Sequence, residues 1–149
     1  MPEPSETCVF CRLVAGTLPI SIIAETDDIL AVMDIQPVNP GHALVIPKAH
    51  APYLADLNAS LAAQIFAMGL RVAAALRASG IRCEGVNLFL ADGEAAGQEI
   101  FHAHLHVFPR FNGDGFGLQF NPAYFTLPPR AQLDEAAGRI RRVIRAEGA

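Results

Sequence analysis

The sequence is short of cysteine, of basic charge and of long apolar runs, and each shortage closes a class of function. Its three cysteines, Cys8, Cys11 and Cys83, are too few and odd in number for a disulfide framework. Eleven Lys and Arg stand against fifteen Asp and Glu, a formal net charge of −4. A general binder of nucleic acid or of an anionic membrane needs a basic face, so neither partner is expected. A small phosphorylated ligand needs only a few local donors and stays open. No apolar run approaches the roughly 18 to 20 residues of a membrane span. Met1 to Thr7 is polar and lacks signal-peptide character, and a cytoplasmic location is expected. There is no internal repeat and no low-complexity segment.

What is present is enough apolar residue for a proper core, 52% of 149 residues. That length predicts one domain, 1–149, burying roughly two-thirds of its unfolded surface. Three of the five histidines fall in Phe101-His102-Ala103-His104-Leu105-His106-Val107-Phe108-Pro109-Arg110, at every second position. This is strand periodicity, with steps of roughly 6.5 Å between like-facing residues. It predicts three imidazoles in a row on one face, with Ala103, Leu105 and Val107 entering the core behind them. Imidazole binds metals and attacks phosphorus or carbonyl centres. On residue types alone the row fits either a metal site or a nucleophilic histidine.

Cys8-Val9-Phe10-Cys11 has the two-residue gap that lets two thiolates reach one tetrahedral zinc. The redox alternative places such a pair after a strand and at a helix start. No strand precedes it here, so zinc is the preferred reading, with two further ligands still to be supplied. A short helical turn is expected over Arg12–Leu18. Strands are expected over Ser21–Glu25, Ile29–Ile35 and His42–Ile46, in an antiparallel meander. Pro37, Asn39, Pro40 and Gly41 force the intervening loop. Asn58 to Ser79 is the clearest helix, with Leu61, Ile65, Met68, Val72 and Leu76 as one apolar stripe, Asn58 as N-cap and Gly80 as stop. Val86–Leu90 reads as a fourth strand. The turn Ala91–Gln98 has glycines that let backbone N–H groups approach a phosphate. Phe111–Pro129 reads as an irregular loop, on the leaving-group side of any site. Ala131–Ala146 reads as a last helix, with Leu133, Ala136, Ile140, Val143 and Ile144 on one face and arginines near its end, where cations suit the helix dipole.

The pattern Gly97-Gln98-Glu99-Ile100-Phe101-His102-Ala103-His104-Leu105-His106 closely resembles the signature of the histidine triad (HIT) family of nucleotide hydrolases and transferases. Cys8-Val9-Phe10-Cys11, Asp34-Ile35-Gln36-Pro37, Pro40-Gly41-His42 and Ile46-Pro47-Lys48-Ala49-His50 follow in the family's order, so the resemblance spans roughly 8–115. It is nearest to zinc-bearing bacterial proteins of the Hint and Fhit-like kind. The resemblance implies an α+β fold: a five-stranded antiparallel sheet, a long helix packed on it and a C-terminal helix, in a homodimer. It implies that His104 attacks the α-phosphorus of a purine nucleotide or dinucleoside polyphosphate, giving a nucleotidyl-histidine that water resolves. His106 then sits beside the phosphate, with Gln98 and Gly97 at the phosphate turn. Asp34 receives the ribose hydroxyls, acting as a pure acceptor, and Met33 and Ile35 wall the base. It further implies a structural zinc on Cys8, Cys11, His50 and His102, a closed set without an open position. His42 fits the pattern with either a structural or a catalytic role.

Two positions depart from the family pattern. Ala91 stands where many relatives carry an Asn near the phosphates, and the nearby Asp92 would repel them. Glu99 stands where phosphoramidases place Ser, which weakens the expectation of phosphoramidase activity and strengthens that of polyphosphate or ester cleavage. Two rival readings remain: a hydrolase with the three triad histidines around one catalytic zinc, and a nucleotide-binding regulatory module with vestigial turnover.

Overall fold

The computed structural model describes residues 6–148, so most of the polar N-terminal stretch lies outside the described residues. The chain divides into two compact units, Met1–Phe116 and Gly117–Ala149.

The first unit is built on one sheet. Its elements in order are α1 (Val9–Val14), β1 (Ile22–Glu25), β2 (Ile29–Met33), β3 (Ala43–Pro47), α2 (Ala59–Ala78), β4 (Gly85–Phe89) and β5 (Leu105–Arg110). The five strands lie in the order β1-β2-β3-β5-β4, all neighbours antiparallel. β1 to β3 form the expected meander. The last strand then slots between β3 and β4, pairing Leu44 with His106 on one side and Phe89 with His106 on the other.

Period-2 alternation divides the sheet's residues between two cores. Ile29, Ala31, Ala43, Val45, Leu105 and Val107 pack with Ile65, Met68, Val72 and Leu76 of α2. Leu30, Val32, Leu44 and Ile46 pack with Phe10 of α1. The even-numbered positions 42, 104, 106 and 108 therefore belong to the α1 side. α2 is capped as expected, the Asn58 side chain accepting from the Leu61 N–H at 2.8 Å. By length and composition alone α2 could cross a membrane, with a mean hydropathy of 1.6, so the reading that no run approaches a span is corrected. A third of that window is buried, its inner stripe packing in the core of the sheet.

Two further expectations shift. The first helix begins at Val9 instead of Arg12, because Phe10 and Cys11 are its buried residues. The histidine strand begins at Leu105 instead of Phe101. Ahead of it the backbone serves local partners: His102 N–H bonds to Ile100 O at 2.9 Å and Ala103 N–H to Ala51 O at 2.7 Å. Only His106 of the triad is thus on the strand proper.

The second unit carries a short 3₁₀ turn, Pro122–Phe125, in the stretch expected as irregular, and the helix α3 (Arg130–Glu147). The expected stripe on α3 is there, but none of its residues is buried: Ile140, Val143 and Ile144 are all exposed.

Candidate active site and metal centre

A cleft of about 640 Å³ opens on the α1 side of the sheet. Met33, Asp34, Ile35, Gly97, Gln98, His104 and His106 all line it. Cys8, Cys11, His50 and His102 gather in a second cluster, their ligand atoms within 4.8 Å of one another. The first triad histidine is thereby turned to a different task from the other two. The three imidazoles do not converge on one metal, which removes the reading of a catalytic zinc held by the whole triad.

Hydrogen-bond partners assign the tautomers. His104 Nδ1 lies 2.8 Å from the His102 carbonyl. A carbonyl only accepts, so Nδ1 carries the proton and Nε2 keeps the lone pair. His104 is 7% exposed. Burial lowers its pKa, against the opposing effects of the His102 carbonyl and Asp34, and the ring is a neutral imidazole at pH 7. His42 Nδ1 accepts the Val38 N–H at 3.0 Å. Its proton is then on Nε2, which donates to His106 Nδ1 at 2.9 Å. His106 in turn carries its proton on Nε2. Burial, with the neighbouring His104 and His42, lowers its pKa to about 4. His104 and His106 stand with ring centroids 4.8 Å apart. One ring offers a lone pair and its neighbour an N–H.

Asp34 Oδ2 lies 3.5 Å from His42 Nε2 and 3.8 Å from His106 Nδ1, and Oδ1 accepts the Gln36 N–H at 2.8 Å. Asp34, His42 and His106 are close enough to hold an ion. The Val38 N–H, however, occupies the lone pair that a neutral His42 has to offer. The group is a hydrogen-bond chain that orients His106, and this gives His42 its place.

Gln98 lines the cleft, yet its carboxamide is committed to the turn. Its Oε1 accepts the Gly93 N–H at 2.7 Å, while Nε2 donates to Pro52 O at 2.7 Å and to Ile100 O at 3.1 Å. Gly93 and Gly97 have φ of 94° and 88°, a conformation that glycine adopts without strain. Asp92 is likewise engaged, accepting the Leu54 N–H at 2.9 Å, so it does not stand in for the side chain Ala91 lacks.

In the second cluster His102 Nε2 donates to Pro47 O at 2.7 Å, which leaves its Nδ1 lone pair facing the sulfurs. That atom lies 3.5 Å from Cys8 Sγ, 3.7 Å from Cys11 Sγ and 3.3 Å from His50 Nδ1, and Cys11 Sγ is 3.2 Å from His50 Nδ1. Tetrahedral zinc with bonds of about 2.3 Å to sulfur and 2.05 Å to nitrogen has S–N edges of about 3.5 Å and N–N edges of about 3.3 Å. The donor set has that size and chemistry. Cys8 does sit at the start of α1, the placement a redox pair takes, but the two imidazoles closing on the thiols make a donor set that could hold a metal ion.

Sequence reasoning missed the aromatic groups around His104, His106 and His42. Phe10 is edge-on to His104 at 4.8 Å, Phe89 is 5.8 Å from His106, and Phe108 is 4.9 Å from His42. Phe108 was recoverable, since it continues the alternation His104, His106.

Comparison with known proteins matches residues 15–113 to the model of the HIT domain. A Bacillus subtilis protein named Hit is 40% identical over 114 residues, 76% of this chain and 78% of that one. An adenosine 5'-monophosphoramidase of Schizosaccharomyces pombe is 35% identical over 91% of this chain and 99% of its own length. The crystal structure of a zinc-bound histidine triad family protein from Mycobacterium smegmatis superposes with a TM-score of 0.72 at 40% identity, covering 87% of this chain and 97% of the other. The chain belongs to the histidine triad family.

Proposed function

We propose that this protein is a nucleotide hydrolase or transferase that works at the α-phosphorus through a covalent nucleotidyl-His104. The observation that carries the reading is the free Nε2 lone pair of a neutral, buried imidazole lining the cleft, its other nitrogen locked to the His102 carbonyl. Nε2 attacks phosphorus and the bond to the leaving group breaks. The Nε2–H of His106 stands beside it to protonate the departing atom, and water then cleaves the P–N bond. Asp34, close to both His42 and His106, takes the ribose hydroxyls, and Met33 and Ile35 border the base. Gly97 and Gln98 shape the phosphate turn, Gln98 by bracing it. The phosphoramidase activity of a relative that matches 91% of this chain supports a nucleotide substrate.

Zinc on Cys8, Cys11, His50 and His102 would supply a cross-link between α1 and the approach to β5; with four protein ligands it activates no water. Thiolates held for zinc agree with a reducing, cytoplasmic setting. A homodimer accounts for the outer face of α2, where Ala62, Ala63, Phe66, Ala67, Leu70 and Ala74 are exposed.

The test is a panel of dinucleoside polyphosphates, adenosine phosphoramidates and nucleoside diphosphates, read against His104→Ala. The variant should lose about four orders of magnitude in turnover while still binding nucleoside monophosphate. Comparable turnover in the variant refutes the nucleophile. Tight nucleotide binding by a wild-type protein with negligible turnover on every compound favours the regulatory module.

A further inference from the structure

The loop 34–41, between β2 and β3, contains no helix or strand, yet a proton in the cleft depends on it. Asp34 alone does not fix that proton. Its Oδ2 lies 3.5 Å from His42 Nε2 and 3.8 Å from His106 Nδ1, so the carboxylate favours a hydrogen on either side of the His42–His106 bond. With the hydrogen on His42 Nε2, His106 presents an N–H at its other nitrogen. With it on His106 Nδ1, His106 presents a second lone pair beside that of His104. The Val38 N–H decides between the two, because it occupies His42 Nδ1 at 3.0 Å and puts the hydrogen on Nε2.

The next residue holds Val38 in place. Asn39 is 6% exposed, while Ile35, Gln36, Pro37 and Pro40 around it are exposed. Val38 and His42 line the cleft, and Asn39 does not. Pro37 and Pro40 have no N–H to donate, so the Asn39 side chain does the anchoring. Its Nδ2 donates to the Pro109 carbonyl and to Asp114 Oδ2, both at 2.9 Å. Both partners only accept, so both amide hydrogens are used and the carboxamide has one orientation. The backbone carbonyl of Asn39 accepts the His42 N–H at 3.0 Å. The anchor points are themselves fixed. Pro109 is fully buried in β5. Asp114, its side chain 3% exposed, also accepts Arg110 Nε at 2.6 Å and Nη2 at 3.0 Å, a bidentate pairing that fixes geometry. Arg110 Nη1 reaches Asn87 Oδ1 on β4 at 2.6 Å.

We propose that Asn39 is a positioning residue. From outside the cleft it pins the Val38 amide against His42, and so keeps the hydrogen of His106 on the nitrogen that faces the leaving atom. This rests on the nucleotidyl-transfer reading above.

Nitrogen-15 NMR of the histidine rings reads the tautomers without any substrate. At neutral pH wild-type His42 and His106 should both carry hydrogen on Nε2, and in Asn39→Ala the His106 signals should move towards a mixture of tautomers. Turnover is read with two esters of AMP of similar shape, phenyl and nitrophenyl. A hydrogen bond donated to the leaving oxygen counts most when the leaving group is poor, and one such bond biases a tautomer pair by up to roughly 10-fold. Asn39→Ala should therefore lower kcat for the phenyl ester by up to that factor, with the nitrophenyl ester little changed and KM the same for both. Asn39→Ser, which keeps a donor, should recover part of the loss. In a His106→Ala background Asn39→Ala should leave the ratio of the two esters where it was. A wild-type His42 with its hydrogen on Nδ1, unmoved His106 signals in folded Asn39→Ala, or equal losses on both esters overturns the proposal. If the wild type cleaves neither ester, the nucleotidyl-transfer reading fails, and the ring signals still decide whether Asn39 holds the tautomer.

Discussion

At the scale of single residues, the site depends on protons fixed by backbone partners. The His102 carbonyl sets which nitrogen of His104 is free, and the Val38 N–H sets, through His42, which nitrogen of His106 carries hydrogen. Keeping these rings neutral has a consequence for stability. Burial first, then its histidine neighbours, puts His106 at about 4 in the folded protein against 6.5 for an ordinary histidine. His102 is also lowered to about 4, burial again first. Between those values the unfolded chain takes up protons that the folded protein refuses, so the stability is complete above about pH 6.5 and declines steadily towards pH 4. Thermal unfolding followed from pH 7.5 to 4.5 should show a falling Tm, with a shallower fall in His106→Gln. A flat Tm across that range would mean the rings are not held neutral.

At the scale of elements, the candidate metal cluster joins three parts of the chain distant in sequence: the start of α1, His50 beyond the end of β3, and the lead into β5. Cys8→Ser should drop zinc well below one equivalent and lower Tm, with activity lost slowly as the lead into β5 loosens. Chelator should act on the same slow course. Full activity and unchanged Tm in a zinc-free protein would contradict the structural assignment. Much of this layout was legible in the sequence. The strands β2 and β3, the stripe and N-cap of α2, and the meander all follow from strand-forming runs, periodicity and turn residues. The start of β5 was not legible, because the backbone there is claimed by Ile100 and Ala51, partners that no pattern announces. The employment of Gln98 was hidden for the same reason: its partners are the backbone of Gly93, Pro52 and Ile100. The α3 stripe was readable, but periodicity gives a face without saying whether anything covers it.

At the scale of the whole molecule, the sheet has one face under α2, while the other carries α1, a second core around Phe10 and the cleft. α2 keeps a second apolar face, with Phe66 55% and Leu70 53% exposed. Sedimentation equilibrium should find a dimer for the wild type and a monomer for Phe66→Glu/Leu70→Glu. A monomeric wild type would leave that face unexplained and refute the dimer. The central claim is that one ring, His104, carries the nucleotidyl group between leaving group and water. Rapid acid-free quenching of a turnover reaction, followed by peptide mass spectrometry, tests it most directly. The account predicts a nucleoside monophosphate adduct on the peptide that contains His104, absent in His104→Ala. Full turnover with that peptide unmodified at every time point, or an adduct on a different residue, would contradict it.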